Sequence, residues 1–151
     1  MGHIDPHVRD YRESLDNDLW DDYPTLELLR DANDPVFRNI EDFGLSPKGE
    51  RALFVARGDV FTAPIEKGPT RNLTATSGAH DKWARWSPDG ARVAFISDRS
   101  GEDEVWVAAQ DGKSQPEQLT SGGQAMRYAP EWSPDGARLA SSAKDGKRHA
   151  L

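Results

Sequence analysis

The sequence predicts an all-β protein built from repeated four-stranded units, on three observations. One seven-residue frame recurs as Phe43-Gly44-Leu45-Ser46-Pro47-Lys48-Gly49, Ala84-Arg85-Trp86-Ser87-Pro88-Asp89-Gly90 and Pro130-Glu131-Trp132-Ser133-Pro134-Asp135-Gly136. Its serines lie 41 and 46 residues apart, a period that accommodates one supersecondary unit. Each period is filled by short β-branched and aromatic runs punctuated by Gly, Pro and Asp turns, the pattern of strands joined by hairpins.

The second repeat is the clearest. Lys82–Trp86 makes a first strand, and Pro88-Asp89-Gly90 reverses the chain, Pro presetting φ and Gly accepting a positive φ. Arg92–Ser97 is a second strand, the polar run Asp98–Asp103 a turn, and Glu104–Ala108 a third strand. Asp111-Gly112 turns again, and Glu117–Thr120 is a weaker fourth strand. The first repeat follows the same order with Ile40–Leu45, Arg51–Ala56, Asp59–Ala63 and Arg71–Thr74. The third offers Tyr128–Trp132 and Arg138–Ser142, then only Arg148–Leu151 after Asp145-Gly146. Four antiparallel strands per period describe a propeller blade, so the expected fold is a partial β-propeller of about two and a half blades. These span about 38–76, 80–121 and an incomplete 126–151, within a repeat region 37–151. A closed propeller takes roughly 4 to 8 blades, so the ring is expected to need further blades, from more of the same polypeptide, from self-association or from a partner.

Residues 1–36 read differently. Val8, Tyr11, Leu15 and Leu19 follow helical spacing, Thr25–Arg30 suits a short second helix, and Asp34-Pro35 would end it. An acidic leader, helical or disordered, is the expectation. Residues 1–41 hold 11 acidic against 4 basic side chains, whereas the remainder holds 15 of each. A neutral repeat region lacks the clustered cations that nucleic acid requires. There is no cysteine to supply a disulfide or a thiolate metal site. No run approaches the roughly 18 apolar residues of a membrane helix, and the amino terminus lacks a signal-like apolar segment. A cytoplasmic chain without nucleic-acid or membrane partners follows as the expectation.

The segments Arg51–Thr62, Gly68-Pro69-Thr70-Arg71-Asn72-Leu73-Thr74, Trp86–Gly90 and Ser97–Glu104 resemble the propeller of tricorn-type proteases, within the wider class of TolB-like and WD40-like repeats. The resemblance runs from about Arg38 to Lys147. It implies a cytoplasmic serine peptidase of large size whose propellers filter and route peptides while separate domains carry catalysis. No part of these 151 residues resembles those catalytic domains. What the resemblance implies for this chain is a non-catalytic propeller segment, a scaffold and peptide-routing surface. A TolB-like protein interaction module and the propeller cap of a prolyl-oligopeptidase-type hydrolase are the alternatives.

The residue chemistry points the same way. Ser46, Ser87 and Ser133 each precede Pro47, Pro88 or Pro134, and with Gly49, Asp89, Gly90, Asp135 and Gly136 they read as turn formers rather than nucleophiles. No Gly-x-Ser-x-Gly elbow is present, so no catalytic residue is assigned. His3 and His7 lack a third ligand, and Asp98, Glu102, Asp103 and Glu104 lack the spacing of a calcium loop. That acidic run reads as a solvated hairpin tip, and no metal or cofactor is expected. Trp86 and Trp132 occupy matching positions and are expected to pack blade on blade, Trp86 buried and Trp132 partly covered. His80, in the connection between blades, and Trp83, near the start of a first strand, are the candidates for ligand contact. The peptide or protein partner is left open.

Overall fold

A computed structural model describes residues 40–123, 126–143 and 148–150 of the chain, and the leader read at 1–36 lies outside them. Eleven strands form three antiparallel sheets. The first sheet runs in sequence order through β1 (Ile40–Leu45), β2 (Arg51–Ala56), β3 (Asp59–Pro64) and β4 (Arg71–Asn72). The second repeats it with β5 (Asp81–Trp86), β6 (Arg92–Ser97), β7 (Glu104–Ala109) and β8 (Glu117–Gln118). The third has three described strands, β9 (Glu131–Trp132), β10 (Leu139–Ser142) and β11 (Arg148–Ala150). Two complete blades and a partial third make an all-β partial propeller.

Local chemistry sets each reversal. The β2–β3 hairpin closes through Arg57 and Gly58, at φ 53° and 77°, the doubly positive pair of a type I′ turn whose twist matches the strands. Blade 2 places the six-residue connection Asp98–Asp103 at the same point, yet Ser97 pairs with Glu104 as Ala56 pairs with Asp59. Register is therefore kept while the loop grows. Between first and second strands, the glycine N–H of each repeated turn donates to the serine carbonyl, at 2.8 Å for Gly49 and Gly136 and 2.9 Å for Gly90. The serine hydroxyl then accepts the N–H five residues on, at 3.0 Å in Arg51 and 2.9 Å in Arg92 and Arg138.

Alternation along β6 divides the core. Val93 and Phe95 face blade 1, where they meet Leu53, Val55, Val60 and Leu73, with Trp86 and Trp106 packed against the cluster. Ala94 and Ile96 face blade 3 and gather with Val105, Val107 and Leu139 under Trp83 and Trp132. Burial of each such Val, Leu or Phe is worth about 1.5–3 kcal/mol, so blade 2, covered on both faces, is the centre of stability. Blade 1 carries a further cluster of Phe54, Ala56 and Ala63 on its opposite face, with the Phe54 and Phe61 rings stacked at 5.4 Å.

Several expectations are corrected. Thr120 is not in the fourth strand, because its hydroxyl rather than its backbone receives the Val105 N–H, at 2.8 Å. The third blade's first strand is confined to β9, since Pro130 has no N–H to give, and Arg127 reaches Ala143 only as an isolated bridge. Trp86 is partly rather than fully buried. Glu104 does not belong to a solvated hairpin tip: it is 1% exposed. Beyond these corrections, Gly112 stands at φ 66°, close to the 71° and 70° of Gly90 and Gly136, so all three turns impose the same backbone demand.

Candidate functional site: a cleft across the first strands of three blades

Contacts between sheets concentrate on β5, which touches β1, β2 and β3 of blade 1 and β9 of blade 3. At the end of the first strands carrying the Ser-Pro turns, a cleft of about 500 Å³ opens, lined by Leu45 and Pro47 of blade 1, Arg85, Trp86, Ser87 and Pro88 of blade 2, and Glu131 and Trp132 of blade 3. It is a shallow, largely open surface groove rather than an enclosed cavity. It exists because the repeat places the same frame positions of successive blades side by side.

Its polar groups are in part committed. Arg85 donates to Asp42 Oδ2 at 2.5 Å and to the Ala84 carbonyl at 2.7 Å. Trp132 Nε1 donates to the Arg85 carbonyl at 3.2 Å, whereas the buried Trp86 Nε1 has no partner among the described residues. Ser87 is fully buried, and its hydroxyl donates to Asp89 Oδ1 at 2.6 Å while accepting from Arg92. Asp89 in turn accepts from the Ala91 N–H. The Ser87 hydroxyl first, then the Ala91 N–H, hold the Asp89 carboxyl below its usual range, and Ser133 and Ala137 do the same for Asp135. Ser46 accepts from the N–H groups of Glu50 and Arg51, both at 3.0 Å. Glu131 is exposed in the cleft wall and makes no ion pair among the described residues.

The other candidates are separated rather than brought together. His80 turns toward blade 1, with Nε2 3.7 Å from Glu41 and its side chain 54% exposed. Trp83 turns toward blade 3. The β5 bulge between Lys82 and Arg85 gives Trp83 a φ of 53° and sets its ring 5.6 Å from that of Tyr128. Lys82 Nζ lies 5.0 Å over the same indole and 2.9 Å from Asp103. A positive φ at a bulky aromatic is strained, and here the strain aims Trp83 at the next blade. Among the described residues no group of three or more His, Asp or Glu side chains could hold a metal ion, and no helix is long and apolar enough to cross a membrane.

Two carboxylates are buried, Asp81, which the sequence did not single out, and Glu104, which it placed in the hairpin tip. Asp81 accepts Arg99 Nη2 on both oxygens at 3.0 Å, and the guanidinium lies 4.9 Å from the Trp106 ring and 5.3 Å from Phe95. Glu104 accepts from the Thr120 hydroxyl, from the Gly123 N–H at 2.9 Å and from Arg127 Nε at 3.0 Å. Burial alone would raise the Glu104 pKa, but these donors outweigh it and hold the carboxyl below its usual range. The available signal was the Leu-Thr pair ending both repeats: Thr74 accepts the Val60 N–H at 3.0 Å as Thr120 accepts that of Val105.

No protein-family model matches the chain. Over 66 residues, 44% of its length, it is 39% identical to tricorn protease homolog 1 of Streptomyces coelicolor, of which the match covers 6%. The putative TolB of Agrobacterium tumefaciens superimposes with a TM-score of 0.59 at 27% identity, over 69% of this chain and 38% of that one. These repeats form a partial propeller similar to those of tricorn-type and TolB proteins. The crystal structure of the tricorn protease shares the fold, with a TM-score of 0.58 at 18% identity over 70% of this chain and 11% of that one. The tricorn-like segment thus spans a small part of the proteins it is similar to.

Proposed function

We propose that the chain is a non-catalytic propeller segment of a tricorn-like serine peptidase, acting in the cytoplasm as scaffold and peptide-contacting surface. The observation that carries this reading is the 39% identity to a tricorn protease homolog over 66 residues. The three-blade cleft supports it, since an indole-lined groove with one exposed carboxylate suits an extended peptide bearing a cation. The hydroxyls of Ser46, Ser87 and Ser133 serve their own turns, which favours a role without nucleophilic chemistry.

Two measurements test it. A serine-directed fluorophosphonate is expected to leave the chain unlabelled, and specific labelling lost on one Ser→Ala change would overturn the non-catalytic reading. Lysine-containing oligopeptides are expected to quench tryptophan emission, and Glu131→Lys to weaken that binding about tenfold, the scale of one charge contact, without changing the melting curve. Unaltered binding in Glu131→Lys would remove the cleft from the proposal. The 27% identity to a TolB protein over 69% of this chain favours a second reading, a protein interaction module. Binding of folded partners but of no oligopeptide would select it.

A further inference from the structure

The end of the β6–β7 hairpin touches both chain segments that join blade 2 to its neighbours. In blade 1 the corresponding turn is Arg57 and Gly58 alone, whereas blade 2 has the longer loop Asp98–Asp103 on a reversal of the same register. Strand pairing does not require the added residues, and three side chains of the loop reach back to three consecutive residues where the chain arrives from blade 1. Asp98 Oδ1 accepts the His80 N–H at 2.7 Å, Arg99 donates to both oxygens of the fully buried Asp81 at 3.0 Å, and Asp103 accepts from Lys82 Nζ at 2.9 Å. From the other side, the Gly58 carbonyl of blade 1 accepts the Asp81 N–H at 2.8 Å, and a Cβ on Gly58 would lie only 3.1 Å from the Ala79 carbonyl oxygen. The incoming connection is thus gripped between a turn of blade 1 and a loop of blade 2.

The outgoing connection is fastened to the next residue of the same hairpin. Glu104, directly after Asp103, accepts from the Thr120 hydroxyl, the Gly123 N–H and Arg127 Nε on the way into blade 3. The two connections then meet. Trp83, one residue beyond Lys82, lies against Tyr128, one residue beyond Arg127, with ring centroids 5.6 Å apart. Trp83 makes this contact at φ 53°, a conformation that a bulky side chain keeps only where its surroundings enforce it.

We infer that the tip of the β6–β7 hairpin is a clasp, which holds the incoming and outgoing connections in fixed relation and keeps the β5 bulge in the strained form that sets Trp83 on Tyr128. Opening the clasp on its incoming side lets the bulge between Lys82 and Arg85 relax, so Trp83 leaves Tyr128 although neither ring is altered. The coupling runs through one hairpin end in direct contact with both segments. It acts on β5, whose far end carries Arg85 and Trp86 into the cleft, but the inference rests on the contacts between blades and not on what the cleft binds.

Fluorine NMR of the full chain labelled with 5-fluorotryptophan tests it. The chain has five tryptophans; Trp83→Phe assigns the signal of interest, and Tyr128→Leu gives its position without the neighbouring ring. Asp98→Ala/Asp103→Ala leaves the buried Asp81–Arg99 pair intact. In this variant the Trp83 signal is expected to move toward its Tyr128→Leu position, while the signals of Trp86, Trp106 and Trp132 stay in place. Amide exchange from Lys82 to Ala84 should quicken about tenfold, the scale of one lost charge-assisted hydrogen bond. Asp98→Ala alone removes an acceptor on an exposed residue and should shift Trp83 in the same direction by less, which keeps the test open if the double variant unfolds. Glu104→Gln should move the same signal from the outgoing side. An unmoved Trp83 signal in the Asp98 variants would overturn the inference, as would equal shifts of all the core indoles, which mark general loosening. A Glu104→Gln effect confined to Arg127 and Tyr128 would overturn the coupling of the two connections.

Discussion

Glu104 shows how one side chain can join two blades. It starts β7, yet its donors come from the chain leading into blade 3, at Gly123 and Arg127. Replacing it with Ala strands a guanidinium that is only 11% exposed, and breaking a buried pair in this way costs about 3–5 kcal/mol. Urea titration of Glu104→Ala against the parent measures it, and a loss under 1 kcal/mol, the scale of an exposed pair, would show that the network does not hold the blades. The pH dependence has a definite sign. Because the folded pKa is lowered, the stabilisation is complete above the unfolded value of about 4.3 and is lost as pH falls through the folded value. Stability should therefore decline below about pH 4, and less steeply in Glu104→Gln, whose position no longer titrates. Asp89 and Asp135, also lowered, supply the slope that remains.

At the scale of elements, hairpin period and turn chemistry were legible because they are local. β1, β2 and β6 follow from β-rich runs bounded by turns, with the bounds read from the sequence. The errors arose where a distant group decided the outcome. The end of β8 depends on the Thr120 hydroxyl capturing a β7 amide, and the burial of Glu104 depends on an arginine 23 residues away. The cleft was half legible: its tryptophans belong to the repeated frame, but their alignment with Arg85 and Glu131 emerges only when blades stack. The turns yield a prediction. Gly90→Val, Gly136→Val and Gly112→Val all force a β-branched residue to positive φ, costing on the order of 1–3 kcal/mol each. The three should lose similar amounts, since an added Cβ at each meets its nearest neighbour at 3.4–3.6 Å, ordinary contact. Thermal melts that leave Gly112→Val unshifted would contradict the shared strain.

Across the whole molecule, stability should be graded, because each blade interacts with its neighbours only. Blade 2 has both faces covered by apolar clusters, whereas blade 3 contributes Leu139 and Trp132 to a single one. Amide exchange should therefore protect β6 and β7 most and β10 least, as local openings follow buried contact. Arg92→Ala makes the test specific. Its guanidinium touches both Trp132 and the Gly136 carbonyl, and loss of a cation–π contact plus a charge-assisted hydrogen bond is worth about 1–3 kcal/mol. That loss should fall on blade 3, speeding exchange at Leu139 to Ser142 while Val93 to Ile96 change little. Equal acceleration in both strands would mean that the blades open as one cooperative unit, and the nearest-neighbour account of this array would fail.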